Sequence, residues 1–249
     1  LNTIQLFCSD LDGTLAGDRD GAHAFARHWS ALPDDRRPLL VYNSGRLVED
    51  ILAFTAEEGL PMADFVIGGV GTMLHSEVWP HLGDAYRATL DRGFDVDRVE
   101  ALLRPMERLS RQPDHYQHRL KSSWYLHDAC PDDLEAIKSR LHSEGQGARV
   151  VYSSNRDLDI IPSAADKGQA LRWLCTELGI RLSFVVVAGD TGNDRAMFEL
   201  EGVTGILPEN ALGELSSLAQ GRKTIVRGNG QAAWGVLDGL RQLGLLDPG

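Results

Sequence analysis

The sequence predicts an α/β protein: a doubly wound parallel sheet into which a smaller α+β module is inserted. Short, near-continuously apolar runs alternate with helical patterns toward both ends of the chain, as parallel strands covered on both faces require. The middle of the chain instead alternates apolar and polar residues, the pattern of an antiparallel sheet with one wet face. At 249 residues the chain is long enough for a full-sized core and an inserted module.

Taken in order, "IQLFCSD" (4–10) is the first strand, and a helical pattern follows over 22–32. "LLVYN" (39–43) leads to a helix over 48–58, and "DFVIG" (64–68) closes the first series. The second series opens with a helix over 167–178 and continues through "FVVVAGD" (184–190) and a short helix over 195–199. It ends with "TGIL" (204–207) and a helix over 231–243. Between the two lie helical stretches at 85–90 and 96–109, a strand-like "HRLKSSWYLH" (118–127) and a helix over 134–142. The strands "RVVYS" (149–153) and "LDIIP" (158–162) complete the middle. The expected division is a core of residues 1–81 and 162–249, with an insertion at 82–161.

Hydrophobic content of 43% and charged content of 24% are ordinary for a soluble globular protein. A net charge of −11 argues against nucleic acid or an anionic membrane as the main partner. It does not exclude a small anionic substrate, because a pocket can be locally positive inside an acidic protein. No apolar stretch approaches the roughly 20 residues that span a bilayer, and the N-terminus shows no secretory-leader pattern. Cys8, Cys130 and Cys175 form no Cys-x-x-Cys pair and cannot all be bridged, so reduced thiols in a cytoplasm are expected.

In an open α/β sheet, ligands bind beyond the carboxyl ends of the strands. There the sequence places Asp10 and Asp12-Gly13-Thr14, then "NSGR" (43–46), then "GDTGND" (189–194). Asp10 and Asp12, two positions apart, would start side by side on a strand. Asp10, Asp12, Asp190 and Asp194 are expected on one rim, where like charges within a few ångströms repel. A hard divalent cation resolves that conflict, and Mg²⁺ commonly takes one or two carboxylates together with substrate phosphate and water. Glycines, hydroxyls and backbone N–H groups in the same runs suit a phosphate, and Lys167 in "ADKGQA" adds positive charge. The set points to magnesium-dependent phosphoryl transfer. Phosphomonoester hydrolysis can demand an acceleration of about 10²¹-fold, roughly 29 kcal/mol, of which positioning supplies about 7–11 kcal/mol. Charge stabilisation and a covalent intermediate must provide the rest.

The ordered runs "SDLDGT", "NSGR", "DKG" and "GDTGND" resemble the four motifs of the haloacid dehalogenase-like phosphatases. That resemblance implies that Asp10 is the nucleophile forming an aspartyl-phosphate. Asp12 would protonate the leaving sugar oxygen and then deprotonate the hydrolytic water. Ser44 and Lys167 would hold the phosphoryl oxygens, and Asp10, Asp190 and the backbone carbonyl of Asp12 would bind Mg²⁺. Thr14, Gly45, Arg46, Asn193 and Asp194 would support phosphate, metal or lysine from close by. Asp194 also suits the N-terminal end of a helix, where a negative charge complements the dipole. An aspartate at position 12 favours a phosphatase over a dehalogenase, which needs no such acid.

The insertion resembles the cap of the superfamily's sugar-phosphatase branch. "GGVGTMLH" (68–75), "KSSWYLH" (121–127) and "VYSSNRDLDIIPSAADKG" (151–168) are similar to sucrose-phosphate and mannosylfructose-phosphate phosphatases. The implied substrate is a small-molecule sugar phosphate, a fructosyl disaccharide 6-phosphate, over which the cap closes to exclude water. Lys121, Arg156, Asp157 and Asp159 are the candidate sugar contacts, and the cognate disaccharide-phosphate synthase is a candidate partner. His115, His118 and His127 fit no zinc spacing. Trp124 and Tyr125 read as packing under the cap, and Trp173 and Trp234 as core residues within helices. Rival readings are a phosphosugar mutase of the same fold, a sugar-phosphate sensor and a two-carboxylate glycosidase. Asp12 and Lys167 speak against the sensor, and the phosphate-suited glycine-rich context against the glycosidase.

Overall fold

The computed structural model describes residues 4–90 and 93–247. The ends of the expected core, 1–3 and 248–249, and residues 91–92 of the expected insertion lie outside the described residues. From the N-terminal side come β1 (Leu6–Ser9), α1 (Arg19–Ser30), β2 (Leu39–Asn43), α2 (Val48–Glu57), β3 (Phe65–Gly68) and β4 (Met73–His75). Helix α3 (Pro80–Leu90) leads to α4 (Val96–Leu103), β5 (Ser110–Arg111), β6 (Ser122–Tyr125), α5 (Pro131–Ser143), β7 (Ala148–Ser153) and β8 (Asp157–Pro162). The chain then runs through α6 (Lys167–Glu177), β9 (Val185–Ala188), α7 (Arg195–Phe198), β10 (Thr204–Leu207), α8 (Gly213–Ser216), β11 (Ile225–Arg227) and α9 (Ala233–Gln242).

The seven-stranded sheet has the order β11-β10-β9-β1-β2-β3-β4, parallel throughout except for β4, which pairs antiparallel with β3. Successive side chains enter opposite cores. Leu6, Cys8, Val41, Phe65 and Val187 join one cluster, covered by Ala170, Leu171 and Leu174 of α6. Phe7, Leu40, Tyr42, Val66 and Val186 join the other, covered by Phe25 and Trp29 of α1 and Val236 and Leu240 of α9. Both faces are therefore buried, which is why these strands are apolar at nearly every position. The doubly wound α/β class expected from the sequence is the class observed.

A second sheet, β5-β6-β8-β7, is antiparallel. Trp124, Leu126, Leu158 and Ile160 pack with Val99 and Leu103 of α4 and Ile137 and Leu141 of α5 in a third cluster. Helix α3 follows a different allegiance: its Leu82, Tyr86 and Leu90 pack into the first cluster, with the core.

Several elements differ from the expected ones. Strands β4, β5 and β11 are two or three residues long and pair at or next to sheet edges, so they leave no periodic signal. Strand β6 spans only Ser122–Tyr125, because His118 and Lys121 exchange backbone hydrogen bonds in a tight turn. Helix α4 stops at Leu103, two residues before Pro105, which cannot continue it. Trp173 is partly buried against Tyr86, ring centroids 5.1 Å apart. Trp234 is not a core residue: it is 40% exposed, and its indole N–H donates to Asp18.

The β3–β4 turn runs through Gly69, Val70 and Gly71, all at positive φ. A Cβ on Gly71 would overlap the backbone carbonyl of Asp166, and the Tyr86 hydroxyl donates to the Gly71 carbonyl at 2.6 Å. All three cysteines are free. Among the described residues no helix is long and apolar enough to cross a membrane.

Candidate active site

Strand β1 pairs with β2 on one side and β9 on the other, so the strand order reverses at its carboxyl end. Such a switch point opens a crevice for ligands. Asp10 leaves β1 there, its N–H donating to the Ala188 carbonyl at 3.0 Å, and Asp190 follows β9. Lys167 is the first residue of α6, and its backbone carbonyl accepts a hydrogen bond from Asn43 Nδ2 at 2.9 Å.

Lys167 is fully buried, with Nζ 2.8 Å from Asp10 Oδ1 and 2.6 Å from Asp194 Oδ1. Burial alone would lower its pKa, but the two carboxylates win and hold it charged, above the ordinary lysine value. Asp10 is pushed well above the usual carboxylate range by burial and then by Asp194, with Lys167 opposing. Asp190 is pushed up to about 7, again by burial first and Asp194 second.

Asp10, Asp190 and Asp194 offer oxygens within 4.8 Å of one another. They are not equally available to a cation. Asp194 Oδ1 is held by Lys167, and Oδ2 accepts the N–H groups of Asp190 (3.0 Å) and Thr191 (3.1 Å), so Asp194 serves the lysine and caps its own turn. Asp190 Oδ1 accepts from the Thr14 hydroxyl at 2.9 Å, and Asp10 Oδ1 from Lys167. Asp10 and Asp190 each retain a second oxygen. Two buried carboxylates drawn together with spare oxygens fit a hard divalent ion. Gly13 (φ +77°) lets the loop approach, since a Cβ there would overlap the Asp190 carboxylate.

Asp12 lines the same cavity as Asp10 but lies beyond the strand, since β1 ends at Ser9. Its side chain is 54% exposed and gripped by Arg46, Nε to Oδ2 at 2.8 Å and Nη2 to Oδ1 at 2.9 Å. Arg46 also pairs with Asp50 at 2.9 Å, and its guanidinium lies 3.9 Å from the centre of the Phe54 ring.

A cavity of about 340 Å³ lies between the two sheets. Asp10, Asp12, Ser44, Gly45, Arg46 and Asn193 line it from the core, and Lys121, Arg156, Asp157 and Asp159 from the four-stranded sheet. Thr14, Lys167, Asp190 and Asp194 do not line it and contact Asp10 or one another. The wall opposite Asp10 is a linked polar network. Lys121, itself buried, lies 3.2 Å from Asp159 Oδ1, which also accepts from Ser123 at 2.6 Å. Asp157 accepts from Gln112 and Arg156, each at 3.1 Å. Gln112, Tyr116, Ser153, Ser154 and Thr191 line the cavity too and were not anticipated, and Tyr125, expected to pack under the cap, lines it as well. For Tyr125 a signal existed: on β6 it lies opposite Trp124 by alternation, so with Trp124 in the core Tyr125 faces the cavity.

The arrangement presents a buried carboxylate backed by an ammonium, a second carboxylate at the mouth and a polar wall able to bind hydroxyls. Over residues 3–244 the chain matches the model of the sucrose-6F-phosphate phosphohydrolase family. It belongs to that family.

Within the sucrose-6F-phosphate phosphohydrolases it is 49% identical over 245 residues to mannosylfructose-phosphate phosphatase of Agrobacterium fabrum, covering 98% of this chain and 99% of that protein. The sucrose-phosphatase of Synechocystis sp. PCC6803, solved with sucrose and phosphate, is similar in structure: TM-score 0.86 and 26% identity over 97% of this chain and 98% of that one. A haloacid dehalogenase-like hydrolase of Bacillus subtilis shares the fold at TM-score 0.64 and 16% identity, over 97% of this chain and 92% of its own. The chain spans 58% and 59% of two tobacco sucrose-phosphatases, at 27% and 26% identity. The expected superfamily and the expected enzyme class, a phosphatase, both hold.

Proposed function

We propose that this protein hydrolyses the phosphomonoester of a fructosyl disaccharide 6-phosphate, with mannosylfructose 6-phosphate ahead of sucrose 6-phosphate. One observation carries the reading: a single cavity joins Asp10, backed by buried Lys167, to the polar wall of Lys121, Asp157 and Asp159. The 49% identity to a mannosylfructose-phosphate phosphatase supports the order of substrates.

In this reading the Asp10 carboxylate attacks phosphorus and forms an aspartyl-phosphate as the sugar oxygen departs. Asp12 gives that oxygen a proton. It then takes one from a water that attacks the phosphorus, releasing inorganic phosphate and restoring Asp10. Ser44 and Lys167 hold the phosphoryl oxygens, and Gly45, Arg46 and Asn193 complete the phosphate surroundings. Thr14 and Asp194 fix Asp190 and Lys167. Asp10 and Asp190, with the backbone carbonyl of Asp12, would hold Mg²⁺, which supplies positive charge against the phosphoryl oxygens. Residues 82–161 act as the cap, with α3 as its root on the core and the four-stranded sheet as its substrate face. Lys121, Arg156, Asp157 and Asp159 bind the sugar. We place the enzyme in the cytoplasm, beside the synthase that supplies its substrate.

Release of inorganic phosphate, measured with Mg²⁺ on mannosylfructose 6-phosphate and sucrose 6-phosphate, tests the proposal. Silence of the folded protein on both would overturn the substrate assignment, and an isomeric sugar phosphate in place of free phosphate would make it a mutase.

A further inference from the structure

Both loops that carry the metal-binding carboxylates are held from outside by one short stretch after β10. Asn210, half-buried, donates from Nδ2 to the Gly13 carbonyl at 2.8 Å and accepts the Ala232 N–H at 2.7 Å through Oδ1. Ala232 stands at the start of α9 with φ 47°. Two residues on, the Leu212 N–H donates to the Asp190 carbonyl at 2.8 Å. The Glu214 carboxylate accepts the Gly192 N–H, also at 2.8 Å. The stretch 210–214 thus touches loop 10–14 once and loop 190–194 twice. The direct link between those loops is the Thr14–Asp190 hydrogen bond.

The chemistry of each contact is demanding. At position 210 the side chain must donate on one side and accept on the other, which an amide does and a carboxylate does not. Gly13 packs against the Asp190 carboxylate with no room for a Cβ, and the carbonyl that Asn210 holds belongs to the peptide leading into Thr14, whose hydroxyl donates to Asp190. Neither Asn210 nor Glu214 lines the cavity. Their contacts reach the reacting atoms only through backbone.

Resting on the cation assigned above, we propose that the 210–214 stretch is a brace for the metal centre, with Asn210 and Glu214 as positioning residues. They hold loops 10–14 and 190–194 at the separation that lets Asp10, Asp190 and the Asp12 carbonyl share one ion. Groups that orient metal ligands without touching the metal change affinity by about 10–100-fold when removed.

The test titrates metal-free protein with Mn²⁺ alone, reading bound ion by electron paramagnetic resonance. Wild type, Asn210→Ala, Glu214→Ala, Glu214→Gln and, as reference, Asp190→Asn are compared, each checked for fold by circular dichroism and thermal melting. Wild type should bind one ion tightly and Asp190→Asn should not. Asn210→Ala should bind about tenfold more weakly or worse. Glu214→Ala should weaken binding severalfold, whereas Glu214→Gln, which keeps an oxygen for the Gly192 N–H, should match wild type. If wild type fails to bind, or Asp190→Asn binds equally well, the cation assignment itself fails. If those two behave as stated while Asn210→Ala melts lower at unchanged affinity, the stretch supports only the fold and the brace is overturned. Should Asn210→Ala not fold, the Glu214 pair decides: equal affinities for Glu214→Ala and wild type overturn the brace.

Discussion

Arg46 grips both carboxylate oxygens of Asp12, at 2.8 and 2.9 Å, while Asp10, two residues earlier, pairs with Lys167 at 2.8 Å. In its proposed role as acid, Asp12 would have to be released by the guanidinium before it could reach a leaving oxygen. Both partners are partly exposed, so the pair contributes only about 0–1 kcal/mol, and a phosphate dianion entering the cavity competes for the same arginine. Asp12→Asn should lower kcat by about 10²–10⁴-fold, the range for losing a general acid–base group. Arg46→Ala should mainly raise KM, with a smaller fall in kcat. Steady-state kinetics separates them, and an equal collapse of kcat in both would place the arginine in the proton transfer.

Lys167→Met would leave Asp10 and Asp194 buried without their cation. Removing one partner of a buried ion pair costs about 3–5 kcal/mol. Without the ammonium opposing it, burial leaves the Asp10 carboxyl protonating more readily when folded than when unfolded. Stability should then fall as pH rises above the ordinary carboxyl range, making the defect larger near pH 8 than near pH 5. Urea unfolding at the two pH values measures this; a pH-independent loss would assign the damage to packing.

Metal removal should also depend on pH. In the metal-free fold Asp190 is raised from 3.8 to about 7 and Asp10 is raised as well. Between those values the folded protein keeps protons that the unfolded chain has shed, so metal-free stability falls as pH rises through that window. In the proposed metal site Mg²⁺ would replace those protons. Its addition should raise the Tm strongly at pH 7.5 and weakly at pH 5, with EDTA reversing the gain. Equal shifts at both pH values would put the ion elsewhere.

Lys121→Ala should separate sugar recognition from phosphate chemistry. It removes the partner of Asp159 on the wall opposite Asp10. Hydrogen bonds to charged groups carry about 1.5–3 kcal/mol, so KM for the disaccharide phosphate should rise about 10–100-fold. Turnover of p-nitrophenyl phosphate, which has no sugar to bind, should change little. Parallel losses on both substrates would make Lys121 a structural residue of the sheet.

The core was legible because strands buried on both faces write nearly every position in apolar residues; β2 matches its expected span residue for residue. Asp10, Ser44 and Asp190 stood out because they follow such strands closely, whereas Lys167 stood out only by its place at the start of a helix. The different partners of Asp10 and Asp12, Lys167 and Arg46, were not legible, since a two-residue period holds only while the strand lasts, and β1 ends at Ser9. Gln112 and Tyr116 gave no sign, because neither sits in a periodic run and only the folded loop after β5 brings them to the cavity. Trp234 misled because a helical tryptophan reads as core, whereas the Asp18 carboxylate holds its indole at the surface.

Gly71 has a consequence for the placement of the buried lysine. Its backbone touches Asp166, the residue ahead of Lys167, and receives the hydroxyl of Tyr86 from the helix that leads into the insertion. The four-stranded module and the floor that carries Lys167 thus meet at a backbone position with no side chain of its own, beside the Arg149–Asp166 ion pair. Bulk at this position would press on the Asp166 carbonyl and the Lys167 backbone, so the identity of residue 71 constrains where the buried ammonium sits.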